Sequence, residues 1–167
     1  MGNTLPKVLM YTDGSSIGNP GPGGYGVVLL QGTHRKELSG GYRRTTNNRM
    51  ELMAVIAGLE ALKTPSEVSV ITDSKYVSDA VNLGWARRWR ANQWKKNKRE
   101  KALNPDLWEK LLALCDRHQV SFTWVKGHAG HKENERCDRL AVQAANQPDL
   151  PPDVPYEQQD STQPSLF

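Results

Sequence analysis

Cysteine is scarce in this chain. Cys115 and Cys137 are its two examples in 167 residues, and both fall in helix-like stretches, which argues against a disulfide framework and for reduced thiols in a core. Long apolar runs are also missing. None approaches the roughly 18 residues that a membrane span needs, and the N-terminus lacks the positive, apolar and small-residue zones of a secretory signal. Met1-Gly2 does not open a myristoylation motif, because Pro6 stands where Ser or Thr is required. No segment repeats itself. These absences lead to the expectation of a soluble, cytoplasmic protein with no membrane partner, acting as a monomer.

What is present suits one domain. The apolar 37% of residues comes in bursts such as Val8-Leu9-Met10-Tyr11 and Val27-Val28-Leu29-Leu30, which read as strands. The pattern predicts strands around 5–13, 23–31 and 35–43, with a Gly/Pro-rich turn between the first two. A helix follows Thr45-Thr46 and runs to about Lys63, and a fourth strand covers about 67–72. Helices then reach about 83, cross a basic segment, and run from Asn104 to His118. A fifth strand at 121–126 and a helix at 131–146 complete a mixed α/β sheet covered by helices. From Pro148 the composition turns to Pro, Asp and Gln, so 148–167 reads as an acidic, disordered tail behind a domain of residues 1–147.

Charge is unevenly placed. Between Trp85 and Lys101 there are eight Lys/Arg and one acid, a local +7, whereas Asn146 to Phe167 carries four acids and no Lys/Arg. A concentrated positive segment is what an arm that meets a polyanion would show. It also holds Trp85, Trp89 and Trp94, and since Trp94 lies about 180° from Trp85 around a helix, no single stripe collects all three. Such indoles could pack on bases or sugars while Lys/Arg take phosphates. The alternative is a solvated basic helix whose tryptophans tuck into the core.

Two stretches match each other: Tyr11-Thr12-Asp13-Gly14 and Ile71-Thr72-Asp73-Ser74. If their strands are parallel neighbours, about 4.8 Å apart, Asp13 and Asp73 stand side by side at one sheet edge. Taken singly, each Asp reads equally well as a turn former or helix cap. The helix from Asn48 to Lys63 is apolar nearly all round yet carries Glu51 and Glu60, nine residues apart and so on opposite faces. One solvated stripe cannot hold both. Glu60 can be exposed; Glu51 either serves the helix dipole or needs a cation. Asp138 borders the apolar stripe Cys137, Leu140, Ala141, Ala144 of the last helix, and by itself reads as a surface acid.

The stretches YTDGS, GNPGPGGYG, TTNNRMELMA, TDSKYV and WVKGHAGHKENERCDRLA closely resemble the bacterial type 1 ribonuclease H family, in the right order from Lys7 to about Ala145. The resemblance implies a five-stranded mixed sheet with helices on both faces and an endonuclease that hydrolyses the RNA strand of RNA/DNA hybrids, leaving 5′-phosphate and 3′-hydroxyl ends. It implies a catalytic carboxylate set of Asp13, Glu51, Asp73 and Asp138. Hard oxygen ligands select Mg²⁺, with Mn²⁺ as a substitute; two such ions would activate water and stabilise the leaving oxygen. The resemblance gives His128, in a glycine-flanked loop, a role in proton transfer or product release, which near-neutral titration allows. A rival zinc site from His128, His131 and Cys137 has too few ligands at the wrong spacing.

For the substrate, the resemblance implies that Trp85 and Trp108 contact the DNA strand, with Trp89 in the same basic protrusion, and that Arg44, Thr46 and Asn104 form a phosphate pocket. Asn19, Asn47 and Asn48, with the backbone of Gly14 and Ser16, match the family's minor-groove readers, which sense 2′-hydroxyls. Two positions depart from the family: Ser16 where Cys is common, and Lys75 where Gln is common. Lys75 could strengthen phosphate or base contact, or loosen discrimination. The terminal Gln163-Pro164-Ser165-Leu166-Phe167 is similar to the short peptide with which replication proteins bind the sliding clamp, so Gln163, Leu166 and Phe167 are expected to dock there. Rival readings are another nuclease of the same wider fold, or a non-catalytic duplex-binding module.

Overall fold

The computed structural model describes residues 4–127 and 131–161. Strands β1 (Lys7–Ser16), β2 (Gly21–Gln31) and β3 (His34–Thr45) form an antiparallel meander, and α1 (Asn47–Glu60) follows. Strand β4 (Glu67–Thr72) returns parallel to β1, and after α2 (Lys75–Asn82), α3 (Trp85–Ala91) and α4 (Pro105–Arg117), β5 (Gln119–Trp124) lies parallel to β4. Helices α5 (Lys132–Ala145) and α6 (Val154–Ser161) end the described chain, and the sheet order is β3-β2-β1-β4-β5.

Alternation along the strands builds two cores. Val8, Met10, Val27, Leu29, Val68 and Val70 pack with α1 and α4, whereas Val28 meets Cys137 and Leu140 of α5 with Tyr11 and Leu30 beside them. Strand β2 is therefore buried on both faces, and helices cover both sides of the sheet, as expected. Helix α5 comes close to the sheet because Gly26 has no side chain: a Cβ there would lie 2.3 Å from the Cys137 carbonyl. Helix α1 starts at Thr46, whose hydroxyl accepts from the Arg49 N–H at 3.2 Å.

Three sequence expectations need correction. The fifth strand starts two residues early, at Gln119, set by the pairing of Glu67 with Gln119. The basic segment is helical only as far as Ala91; Gln93 and Trp94 take left-handed backbone (φ 55° and 64°), and the indole of Trp94 turns back onto the main core. The stretch from Pro148 to Ser161 is not a disordered tail. Its Asp153, 5% exposed, accepts from the Thr45 hydroxyl and the Arg49 guanidinium, and the Arg43 N–H donates to the Pro151 carbonyl. Read alone, Asp153 among prolines looks solvated, and only its distant partners make it a buried anchor. Among the described residues no helix is long and apolar enough to cross a membrane.

Candidate active site

Strands β1 and β4 run parallel with Thr12 opposite Thr72, so the next residues, Asp13 and Asp73, stand side by side where β4 ends, β1 continuing to Ser16 in its pairing with β2. Asp13 is 7% exposed and accepts from the Gly14 N–H. Glu51 arrives from α1, which presses on β1 so closely that a Cβ on Gly14 would sit 2.3 Å from the Glu51 nitrogen. Carboxylate oxygens of Asp13, Glu51 and Asp73 fall within 4.8 Å of one another. Asp138 of α5 lines the same cavity, of about 420 Å³. Glu60, the other acid of α1, is exposed, so the helix separates the two as its sequence demands.

Among the described residues no Lys or Arg forms an ion pair with these acids, although Lys75 lines the same cavity. Burial, then the charges of Asp73 and Asp138, push Asp13 up to about 8, and burial with Asp13 and Asp73 lifts Glu51 well above the usual carboxylate range. Glu51 Oε1 is buried with no hydrogen-bond partner among the described residues. An orphaned carboxylate oxygen beside two further acids, with hard oxygen donors throughout, fits a divalent cation. The zinc alternative loses Cys137: its thiol donates to the Tyr11 carbonyl and burial pushes it up to about 12.

Around the cluster the expected readers are linked. Asn47 Oδ1 accepts from the Ser16 N–H at 2.7 Å and the Ser16 hydroxyl at 2.9 Å, while its own N–H donates to Asn19 Oδ1. Asn48, Gly14 and Lys75 line the carboxylate cavity. Thr46 and Asn104 are joined through Arg49, whose N–H is capped by Thr46 and whose Nη1 donates to Asn104 Oδ1. Arg44 is exposed at the end of β3.

The tryptophans divide. Trp85 is 38% exposed, and its ring lies 6.5 Å from that of half-buried Trp89. With Arg88, Asn92, Lys95 and Lys96 they line a hollow of about 510 Å³, Lys96 sitting over Trp89. Trp108 is a correction: it is fully buried, packed edge-on against Trp89, with its indole N–H given to the Tyr76 hydroxyl. It presents no face to a ligand and acts as core. His128 and the peptide Gln163, Leu166, Phe167 lie outside the described residues.

Sequence reasoning missed three neighbours of the site. Tyr76 lines the carboxylate cavity and accepts from Trp108 and Asn104. Arg49 is 1% exposed and ties α1 to α4. Trp124, at the end of β5, gives its indole N–H to the Asp73 carbonyl and its ring face to Lys75. A tryptophan closing a short strand just before a glycine loop was the available signal.

Residues 6–146 match the protein family described as RNase H. The chain is 64% identical over 151 residues to the Ribonuclease H of Trichodesmium erythraeum, covering 90% of this chain and 96% of that one. It is 59% identical over 152 residues to the Ribonuclease HI of Synechocystis, covering 90% and 95%. Among solved structures it is similar to LC9-RNase H1, described as a type 1 RNase H with the type 2 active-site motif (33% identity, TM-score 0.77, 87% of this chain and 74% of that one). It is also similar to LC11-RNase H1 in complex with RNA/DNA hybrid (26% identity, TM-score 0.64, 83% and 96%).

Proposed function

The chain belongs to the ribonuclease H family, nucleases that hydrolyse the RNA strand of RNA/DNA hybrids, and from that premise we propose how its residues divide the work. The family is metal-dependent, and Asp13, Glu51, Asp73 and Asp138 hold two divalent cations, Mg²⁺ with Mn²⁺ as a substitute. The observation that carries this is the approach of three carboxylates to within 4.8 Å of one another, with no ion pair to a Lys or Arg among the described residues. When bound, the ions supply Lewis-acid polarisation of the phosphate and a water acidic enough to attack.

The remaining work falls to this chain's own groups. The Gly14 contact with α1 fixes the spacing of Asp13 and Glu51. His128 serves proton transfer or product release. Ser16, Asn19, Asn47 and Asn48 present backbone and amide groups to the shallow minor groove, where 2′-hydroxyls tell RNA from DNA. Arg44, Thr46 and Asn104 receive a backbone phosphate, and Trp85 and Trp89 of the basic arm pack on the DNA strand. The products carry 5′-phosphate and 3′-hydroxyl ends. The enzyme works in the cytoplasm as a monomer, and Gln163, Leu166 and Phe167 dock on the sliding clamp; clamp binding that survives removal of Leu166-Phe167 would refute that docking.

The deciding experiment compares matched RNA/DNA, RNA/RNA and DNA/DNA duplexes with and without Mg²⁺. Cleavage of the hybrid alone, and only with the ion, is expected. Cutting of DNA/DNA, or undiminished cleavage in chelator, would overturn the reading.

A further inference from the structure

Lys75 and Trp124 form a pair that the carboxylate chemistry does not explain. Lys75 is exposed and is the first residue of α2, the end of a helix where a cation is disfavoured by the backbone dipole. Helix stability therefore gives no reason for its charge. It lines the same cavity as Asp13, Glu51, Asp73 and Asp138, yet among the described residues it forms an ion pair with none of them. Its Nζ instead lies 5.6 Å from the ring centre of Trp124.

Trp124 is the last residue of the edge strand β5, is 43% exposed, and belongs to neither core cluster. Its position is nevertheless held at two points. The indole N–H donates to the Asp73 carbonyl at 3.1 Å, and the backbone pairing of Thr72 with Trp124 sets the base of the side chain. An exposed indole kept in place while contributing nothing to the core has its ring face to offer, and a cation over such a face is attracted without being neutralised. A lysine paired to a carboxylate would be spent; one resting on an aromatic face keeps its charge for an incoming anion.

We propose that Trp124 is a positioning residue for substrate binding: its ring stations the Lys75 ammonium at the mouth of the carboxylate cavity, where that ammonium takes a backbone phosphate of the RNA strand. A polyanion brought against four acids meets like charge, and a cation fixed at the rim lowers that cost. The inference rests on the hybrid-cleaving function proposed above and names a specificity element of the same site.

The test measures equilibrium binding of an RNA/DNA hybrid in chelator over a series of KCl concentrations, alongside steady-state cleavage with Mg²⁺. Each phosphate contact contributes about 0.7 to 0.9 to the slope of log affinity against log salt. Lys75→Gln, an exposed change, should lower the slope by about that much and raise KM several-fold, leaving kcat within about two-fold. Trp124→Leu should lose the same slope, and the double variant should lose no more than Lys75→Gln alone. Trp124→Phe keeps a ring face but loses the indole N–H that anchors it, and should lose less of the slope than Trp124→Leu, with thermal unfolding reporting that each variant is folded. An unchanged slope in Lys75→Gln, an unchanged slope in Trp124→Leu, or additive losses in the double variant would overturn the proposal. Failure of the wild-type protein to bind or cut the hybrid would sink the functional reading itself, which keeps the two failures apart.

Discussion

Two groups of acids, buried or half-buried, gather on either side of one helix and face opposite circumstances. Glu51 and Arg49 are two residues apart on α1, so their side chains leave it about 200° apart. On one side Glu51 joins Asp13 and Asp73, and among the described residues no Lys or Arg forms an ion pair with them. On the other, Arg49 is gripped by Asp153 through Nε at 2.7 Å and Nη2 at 3.0 Å, and by Asp106 at 2.9 and 2.8 Å. The Arg49 guanidinium holds Asp106 below the usual carboxylate range against the opposing effect of burial, whereas burial and neighbouring acids drive Asp13 up to about 8. Acids with an internal cation hold the fold together. Acids without one keep a site open for a cation from solution.

The contrast is broken most forcefully at Asp13. Asp13→Asn should reduce hybrid cleavage by about 10³-fold or more, since several kcal/mol of transition-state stabilisation depends on the cation site. Its melting temperature in chelator should not fall, because a repelling charge has been removed. A variant that melts far below wild type would show that Asp13 is structural after all.

On the opposite side of α1 the order reverses. Arg49→Met leaves Asp153, whose side chain is 6% exposed, as an uncompensated acid. It should cost about 3 to 5 kcal/mol in urea unfolding. A loss below about 1 kcal/mol would mean that the network is not what ties α1 to α4 and the C-terminal segment.

Adding Mg²⁺ sharpens the comparison with a smaller effect. Wild type should gain about 2.7 kcal/mol at an ion concentration of 100 Kd, and Asp13→Asn much less. Equal gains in the two proteins would place the bound ion elsewhere.

The smallest effect lies away from both groups, at His118. Its Nδ1 accepts from the Ser66 N–H at 3.0 Å, and burial with Arg117 holds its pKa below the ordinary 6.5. A histidine depressed in the folded state contributes stability that is complete above about pH 6.5 and is lost as pH falls through the folded value. Melting temperatures followed from pH 7.5 to 5 should therefore fall more steeply for wild type than for His118→Gln. Parallel curves would dismiss the effect.

Much of this was legible before any coordinates. The twin Thr-Asp pairs required only that β1 and β4 be parallel neighbours, and the register of Thr12 with Thr72 supplies that, although β1 runs on past Asp13 to Ser16. Glu51 stood out because a helix apolar nearly all round cannot solvate acids on opposite faces. Trp108 misled because a role implied by resemblance carries no sign of the indole's burial; only its contacts with Trp89 and Tyr76 decide that. Asp153 was missed for the converse reason, since its partners Thr45 and Arg49 lie more than 100 positions away.

The sequence by itself determined the strand and helix alternation, the basic arm, and the residue types that chemistry at a hard cation requires, because these follow from periodicity and donor type, which are local properties. Only the tertiary structure decided which acids share a cation of the protein and which do not, which indoles face outward, and that the chain beyond Pro148 folds back. Those outcomes depend on distances between residues far apart along the chain, and a charge or an aromatic ring acquires its energy from what packs against it.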